Sequence, residues 1–261
     1  MSVLHEVRAR NLATTSNNKI HDDAVAREYG FAGGLVPGVD VYAYAIHAVV
    51  AHFGEKWLTD GAIDVRFVQP VYDGHPTTVE SDDAGNDTLA LTVRDDAGAS
   101  CAEINASLGA GSAPPPPAGE PVPRRDPVPV ASASSLEPGT ALGTWFDTFD
   151  AETAREYLDA ISENAPVYRE QRIAHPGWLL RRANQVLAAN VRMGPWIHVG
   201  SEVQLFETAR DGDLVRTDAT VTREWERRGH RFVTLDVFVT AEERVVMRAA
   251  HTAIYEPRKR S

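Results

Sequence analysis

Two long helices are predicted by apolar residues that recur at helical spacing. The first lies within VDVYAYAIHAVVAHF, residues 39–53. Its apolar positions fall on one helix face: Val39, Ala43, Ile46, Val50 and Phe53. The second lies within WLLRRANQVLAAN, residues 178–190. A Pro-Gly pair stands immediately before each stretch, at Pro37-Gly38 and Pro176-Gly177, as is common where a helix begins.

Runs of alternating apolar and polar residues, rich in Val, Thr and aromatic side chains, follow each helix and predict strands. The runs span 63–71, 77–81, 88–95 and 101–108 in the first half, and 201–208, 213–223, 231–240 and 245–255 in the second. Turn residues such as Tyr72-Asp73-Gly74 separate them, so we expect antiparallel strands with tight connections. Each half thus predicts a curved antiparallel sheet around one long helix, and a short helix is expected over 22–29.

The two halves repeat one layout. Gly38 and Phe67 are 29 residues apart, and so are Gly177 and Phe206. In each half a Ser-x-Asn element precedes the Pro-Gly pair, the long helix and the strands. Because the order and the spacing both agree, the sequence predicts duplication of one structural unit.

A segment rich in Pro, Gly and Ser separates the halves. It spans 111–139, lacks apolar periodicity and is interpreted as a linker of polyproline character that runs over the surface. The predicted domains are therefore an N-terminal unit over 1–110 and a C-terminal unit over 140–261, with this linker between them.

Composition and charge limit the classes of function. Of 261 residues, 43% are hydrophobic and 24% are charged, as in ordinary globular proteins. The net charge of −11 opposes binding to nucleic acid. The first residues lack the apolar core of a signal peptide, and no apolar run approaches the ~18 residues that span a bilayer. We therefore expect a cytoplasmic protein with no membrane partner.

Cysteine and histidine spacing argues against metal chemistry. The single cysteine, Cys101, excludes an intrachain disulfide and a multi-cysteine metal site, and we expect it to be a small buried residue of a strand. No pair of histidines with a carboxylate stands at ligand spacing, so the sequence predicts no bound metal.

Residues 16–39 combine polar side chains with a Gly-rich run. In order they include Ser16-Asn17-Asn18-Lys19-Ile20-His21, Asp23, Ala26, Gly30-Phe31 and GGLVPGV. This order resembles the MaoC-like, (R)-specific enoyl-CoA hydratase and dehydratase family. Its members carry Asp-x-Asn-Pro-Ile-His, an acidic residue two places on, an Ala, a Gly-Phe pair and small residues leading into the central helix. The later segment RFVQPVYDG is similar to the strand and turn that follow that helix.

The resemblance implies an α+β fold of the double hot-dog type, with two units that each wrap a curved antiparallel sheet around a long central helix. It also implies a lyase of fatty acid metabolism, either an enoyl-CoA hydratase or a 3-hydroxyacyl dehydratase. The acyl-thioester substrate brings its own CoA or phosphopantetheine arm, so no separate cofactor is expected. An acyl carrier protein is a partner that this substrate class allows. We expect a monomer of duplicated units or a homodimer.

Two positions depart from the family pattern. Ser16 stands where the family has Asp, and Pro37 stands where its helix opens with His. In the family, the Asp and the His share the activation of a water and the protonation of the α-carbon; Ser16 has no carboxylate for this work. In the second half Ser162 again replaces Asp, and Tyr168 stands about where His21 does. The resemblance therefore assigns any chemistry to the first half and a degenerate site to the second.

The same resemblance gives roles to individual residues. His21 is the proton carrier, since imidazole titrates near neutral pH. Asn18 orients the water or the imidazole, and Ser16 holds a water by hydrogen bonding. Backbone N–H groups at three glycines, with the positive end of the helix, are expected to bind the thioester oxygen: Gly33, Gly34 and Gly38. The ordinary alternatives are a helix cap for Ser16 and a turn residue for Asn18.

Other residues support other functions. Asp40 resembles the carboxylate that activates water on the central helix of some hot-dog thioesterases, although acids also favour helix starts in general. Tyr42 is a hydrogen-bond donor or a wall of the acyl pocket, and Arg66 is a candidate for the phosphates of CoA. A third function is that of a non-catalytic acyl-thioester-binding protein, since an abandoned active site would lose its Asp.

Overall fold

The structure is a computed structural model that describes residues 2–259, the side chains of Val3 and Asp83 excepted. The strands are β1 Ser2–Arg8, β2 Gly61–Phe67, β3 Pro76–Ala84, β4 Thr88–Arg94, β5 Ser100–Leu108, β6 Trp145–Thr148, β7 Ile197–Leu205, β8 Leu214–Arg227, β9 His230–Ala241 and β10 Arg244–Glu256. These ten strands form one antiparallel sheet in the order β1-β3-β4-β5-β2-β7-β10-β9-β8-β6. The helices are α1 Asp23–Glu28, α2 Gly38–Phe53, α3 Trp57–Asp60, α4 Ala151–Ala160, α5 Pro166–Glu170 and α6 Pro176–Asn190, and a 3-10 turn spans Lys19–His21.

The sheet has the same strand order in both directions from its centre, which confirms the predicted duplication. β2 of the first unit and β7 of the second are the central pair, with Ile63 opposite Val203 and Asp64 opposite Glu202. Val203 lies 139 residues after Asp64, the offset that also separates the two Pro-Gly pairs. The pairing of β2 with β7 therefore has the register expected if a two-fold axis that passes between these two residue pairs relates the two units.

The two long helices, α2 and α6, pack against each other and against the sheet. All five apolar positions that predicted the first helix are buried, at 8% exposure or less. Burial of one such large side chain stabilises a fold by about 1.5–3 kcal/mol, so this helix face is a main part of the core. The observed helices begin one or two residues earlier than predicted, at the Gly and the Pro of the Pro-Gly pairs.

The sequence prediction lacks the strands β1 and β6, the helices α3, α4 and α5, and the 3-10 turn. Both strands lie at sheet edges, where a strand pairs on one side only and need not alternate strongly between apolar and polar residues. α4 is short but well specified, because Asp150 caps it by accepting a 2.7 Å hydrogen bond from the Thr153 N–H. Its buried residues Tyr157 and Leu158 cover the core of the second unit.

The predicted linker is only partly a surface segment. Residues 111–127 are almost entirely exposed, and no helix or strand lies between Leu108 and Trp145 of the described chain. Leu136, however, is fully buried, and Val130 forms a β-bridge with Arg192. The surface prediction is therefore wrong for the end of this segment, which packs into the second unit because it carries the apolar residues that the Pro-rich part lacks.

An ion pair between Asp40 and Arg181 crosses the contact between α2 and α6. The carboxylate is completely buried, and its Oδ1 accepts hydrogen bonds from Arg181 Nε at 3.0 Å and from a terminal guanidinium nitrogen at 2.6 Å. Burial raises the pKa of Asp40, and the guanidinium opposes that shift. Arg181 also lies over the ring of Tyr157, at 4.7 Å from its centroid. The pair therefore joins the two units by charge inside the core.

Replacing Arg181 by Met leaves the Asp40 carboxylate buried without its partner. We expect Arg181→Met to lower the free energy of unfolding by about 3–5 kcal/mol in urea titrations near neutral pH. The loss should shrink as the pH falls, because the folded variant then holds a proton on Asp40 that the unfolded chain binds only at lower pH. Arg66→Met, which removes an exposed pair, is the control; an equal loss in both variants would contradict this account.

Candidate active site

A cavity of about 230 Å³ lies at the junction of the two units. It is bounded by the 3-10 turn, the start of α2, the segment after β2 and the start of β7. Most of its wall is apolar, and its polar side chains are Asn18, His21, Gln69, Asn184, His198 and His230. Among the described residues no Asp, Glu, Lys or Arg lines it. Ligand pockets typically measure roughly 300–1,000 Å³, so this cavity suits a short, uncharged group.

The Gly-rich run packs directly onto the 3-10 turn. A Cβ on Gly34 would overlap the carbonyl of His21, so only glycine allows the two segments to approach this closely. The Leu35 N–H donates to the Ile20 carbonyl at 3.2 Å, and the Ile20 side chain is buried beneath the turn. The local sequence thus holds the turn, and with it His21, against the start of α2.

Asn18 fastens the first unit to the second. Its Oδ1 accepts hydrogen bonds from the N–H groups of Trp196 at 3.0 Å and Ile20 at 3.3 Å. Its Nδ2 donates to the Trp196 carbonyl at 2.9 Å and lies 3.3 Å from Nε2 of His21. Both the oxygen and the nitrogen of the buried amide are therefore hydrogen-bonded, and they hold Trp196, the residue before β7, against the 3-10 turn.

His21 has a defined tautomer. Its Nδ1 lies 2.7 Å from the Leu35 carbonyl, which can only accept, so Nδ1 carries the hydrogen. Nε2 is then the unprotonated nitrogen and accepts from Asn18. Burial lowers the pKa of His21, the bond to Leu35 opposes that shift, and the positive charge of Arg181 adds to it. At neutral pH the cavity therefore contains a neutral imidazole with a basic Nε2.

The start of α2 has free backbone donors, and of the two residues that carry them Gly38 lines the cavity. Pro37 caps the helix without a side-chain hydrogen bond, and the N–H groups of Gly38 and Val39 have no acceptor among the described residues. In the second unit the corresponding helix start is closed, because the Gly177 N–H donates to Nδ1 of His175 at 3.0 Å. Only the first unit thus combines positive helix-end charge with open donors beside an imidazole.

The second unit has no imidazole at the position of His21. The Ile173 N–H donates to the Tyr168 carbonyl, just as the Leu35 N–H donates to the carbonyl of Ile20. Tyr168 therefore corresponds to the buried Ile20, one residue before the position that the sequence comparison gives it. Its hydroxyl is buried without a partner in the described part of the chain.

Three residues of the predicted motif lie outside the cavity. Ser16 Oγ accepts a 3.1 Å hydrogen bond from the Asn18 N–H, so its side chain stabilises the turn rather than facing the ligand space. Gly33 packs against the Asp23 carboxylate, and the Gly34 N–H donates to Asp23 Oδ1 at 2.8 Å. These two glycines therefore shape the loop, and of the three predicted backbone sites only Gly38 reaches the cavity.

The remaining predicted residues also lie elsewhere. Asp40 faces Arg181 in the helix contact and does not line the cavity. Tyr42 is fully buried, likewise away from the cavity, and its hydroxyl has no partner within the described residues. Arg66 is exposed on β2, where its guanidinium pairs with Glu103 at 2.6 Å. None of these three is positioned to contact a ligand that also touches His21.

The second unit supplies groups that the sequence analysis did not select. Trp196 and His198, at the start of β7, and Asn184, on α6, all line the cavity. His198 and Asn184 each have a buried polar atom without a partner among residues 2–259. No local sequence pattern marks them, and the start of β7 reaches the first unit through the observed pairing of β2 with β7.

Solved structures with a similar fold cover almost the whole chain. A MaoC-like dehydratase shares 14% identity over 97% of this chain and 98% of its own, with a TM-score of 0.62. A Mycobacterium tuberculosis protein with a double hotdog fold shares 16% identity over 97% and 95%, with a TM-score of 0.63. The chain has the double hot-dog fold. This confirms the α+β architecture that the sequence predicts.

The double hot-dog fold alone does not identify the activity. A Novosphingobium aromaticivorans protein named as a thioesterase shares 14% identity over 85% of this chain and 88% of its own, with a TM-score of 0.50. No family model matches the chain, and no curated protein matches it by sequence. Since similar folds carry different names at these identities, the function has to be derived from the site.

Two further observations concern the described residues as a whole. No helix among them is both long and apolar enough to cross a bilayer. Within the same residues, no three histidine, cysteine or acidic side chains come together as a metal-binding group.

Removal of the Asn18 amide should both destabilise the fold and change His21. In Asn18→Ala the N–H and the carbonyl of Trp196 lose their partners, and a buried unpaired group costs about 1–3 kcal/mol. We expect a loss of about 2–3 kcal/mol in unfolding experiments. The pKa of His21, measured by NMR, should rise because Asn18 no longer donates to the neutral ring.

The matched control is Asn17→Ala, an exposed amide next in sequence. It should leave both the stability and the His21 titration close to those of the unmodified protein. A His21 pKa that is unchanged in Asn18→Ala would show that the 3.3 Å contact carries no hydrogen bond.

Proposed function

We propose that the protein is a hydratase or dehydratase of acyl thioesters, a MaoC-like lyase acting on a short enoyl or 3-hydroxyacyl group. One observation carries this proposal: His21, a neutral imidazole with a basic Nε2, and Gly38, whose backbone N–H is unpaired, line the same apolar cavity. Addition of water to an α,β-unsaturated thioester needs a proton carrier and a stabilised enolate oxygen, and these two features supply them.

The helix start is the candidate binding site for the thioester oxygen. The N–H groups of Gly38 and Val39 are free, and the positive end of α2 adds to their effect. In other enzymes, removing one such donor typically raises the activation barrier by roughly 3–4 kcal/mol. The absence of carboxylates from the described cavity wall means that no negative charge opposes the enolate there.

His21 carries the proton in this mechanism. In the hydration direction, the water oxygen bonds to the β-carbon while one of its protons moves to Nε2, which gives up its 3.3 Å contact with Asn18 Nδ2 to accept it. The π electrons pass to the α-carbon and the thioester oxygen, giving the enolate. Nε2 then returns the proton to the α-carbon, so the imidazole ends neutral and one water has been added. Dehydration follows the same steps in reverse.

The thioesterase alternative rests on Asp40 and has less support. That carboxylate is bound to Arg181 at 2.6 Å and lies outside the cavity, so a water activated by it would be separated from a thioester held near His21. A non-catalytic acyl-thioester-binding protein keeps the same cavity but needs no proton transfer. Both alternatives are outcomes of the experiment that follows.

Hydration of crotonyl-CoA, followed by loss of enone absorbance, tests the proposal. We expect turnover by the unmodified protein and at least a ~100-fold fall in kcat/KM for His21→Ala, the usual size of a lost acid/base group. The rate should stay level as the pH falls from 7.5 through 6.5 and drop only below that, because the pKa of His21 is lowered and the neutral ring is the reactive form.

The control variant is His75→Ala, which removes an exposed histidine paired with Asp96 and should keep full activity. Release of free CoA without loss of enone would favour a thioesterase, and in that case Asp40→Asn should abolish it. Tight binding of crotonyl-CoA with no product over hours would favour the binding protein.

A further inference from the structure

His198, on β7, is a buried histidine with one unpaired ring nitrogen. It is 6% exposed and lines the cavity, and its Nδ1 has no hydrogen-bond partner among the described residues. A Cβ built on Gly38 would lie 2.8 Å from this nitrogen, so Nδ1 stands beside the start of α2. Buried polar atoms are normally hydrogen-bonded, and an unpaired one at a cavity wall indicates a position for a ligand or water hydrogen.

The other ring nitrogen fixes the tautomer. Nε2 lies 3.2 Å from the Gly200 carbonyl and 2.9 Å from Ser201 Oγ. Because a carbonyl only accepts, Nε2 carries the hydrogen, and Nδ1 keeps an unused lone pair beside Gly38 at the cavity wall. Ser201 Oγ lies 3.0 Å from Nδ1 of His251, whose ring stacks on His198 at 4.2 Å, so the ring is also held in place.

The ring stays neutral near physiological pH. Burial lowers the pKa of His198 well below its ordinary value, and a positive charge on His251 would lower it further. The titratable groups that face it are His251 from β10, and His21 and His230 around the cavity. His198 is therefore a fixed hydrogen-bond acceptor rather than a second proton carrier.

We propose that Nδ1 of His198 accepts a hydrogen bond from the water that adds to the acyl group, and from the 3-hydroxyl of the hydrated acyl chain. This rests on the proposed function. A water has two hydrogens: one passes to His21 Nε2 and on to the α-carbon as the carbon–oxygen bond forms. The other stays on the oxygen throughout and remains bonded to His198. Ser16, whose side chain lies in the turn, cannot hold this oxygen.

The proposal predicts selective recognition of the hydroxyl group. We compare binding of butyryl-CoA and 3-hydroxybutyryl-CoA by calorimetry, with His21→Ala in all samples so that the ligand is not dehydrated. Adding His198→Phe keeps a ring that can pack on Phe67 and His251 but removes the acceptor. The Kd for 3-hydroxybutyryl-CoA should rise about tenfold, and that for butyryl-CoA should change less than about twofold.

Asn184→Ala is the matched comparison, because Asn184 Oδ1 is the other unpaired acceptor of the cavity wall within the described residues. It should affect both ligands by the same factor. Equal weakening of both ligands by His198→Phe, or selective loss of the hydroxylated ligand in Asn184→Ala instead, would overturn the assignment while leaving the proposed function intact. If neither CoA ester binds at all, both the assignment of His198 and the proposed function are refuted.

A measurement on the unmodified ring covers the case in which His198→Phe does not fold. In 15N NMR spectra of the full chain, His198 Nδ1 should be unprotonated at neutral pH, and its resonance should move on addition of 3-hydroxybutyryl-CoA but not of butyryl-CoA. A protonated Nδ1, or equal shifts with both ligands, would refute the role of this nitrogen.

Discussion

The pairing of β2 with β7 is the contact on which the candidate site depends. It joins two five-stranded sheets into one and brings the start of β7 against the turn that carries His21. Asn18 then locks the two segments together through both backbone groups of Trp196. A single unit would have the imidazole and the helix start but would lack the opposite wall with His198. The site is therefore a property of the duplicated chain.

Duplication gives two equivalent helix starts, and their neighbours decide which of them can bind a ligand. The N-cap residue of α2 is Pro37, whose side chain has no group that can cap the helix. The N-cap residue of α6 is His175, whose Nδ1 accepts the Gly177 N–H and which is itself buried beside Glu163. This difference between the two cap residues leaves one helix end open and satisfies the other inside the core.

Features of the fold and the site that have local causes can be predicted from the sequence. The two long helices, most of the strands and the repeat follow from apolar periodicity and from the spacing of Pro-Gly pairs, and His21, Asn18 and Gly38 follow from a local motif. Gly34 has a different role from the expected one, since its N–H binds Asp23. The partners of Asp40 and of Asn18, at Arg181 and Trp196, are distant in sequence, and no local pattern identifies them.

The electrostatics of the cavity are compatible with the proposed thioester chemistry although position 16 has no carboxylate. All three histidines of the cavity, His21, His198 and His230, have pKa values lowered first by burial. They are neutral near physiological pH, so none of these rings places a charge beside an uncharged acyl group. The positive end of α2 then acts on a developing enolate without opposition from Asp40 in its first turn, because that carboxylate is paired with Arg181. The buried ion pair thus contributes to the site without lining it: it holds the two units together and cancels the charge that would oppose the enolate.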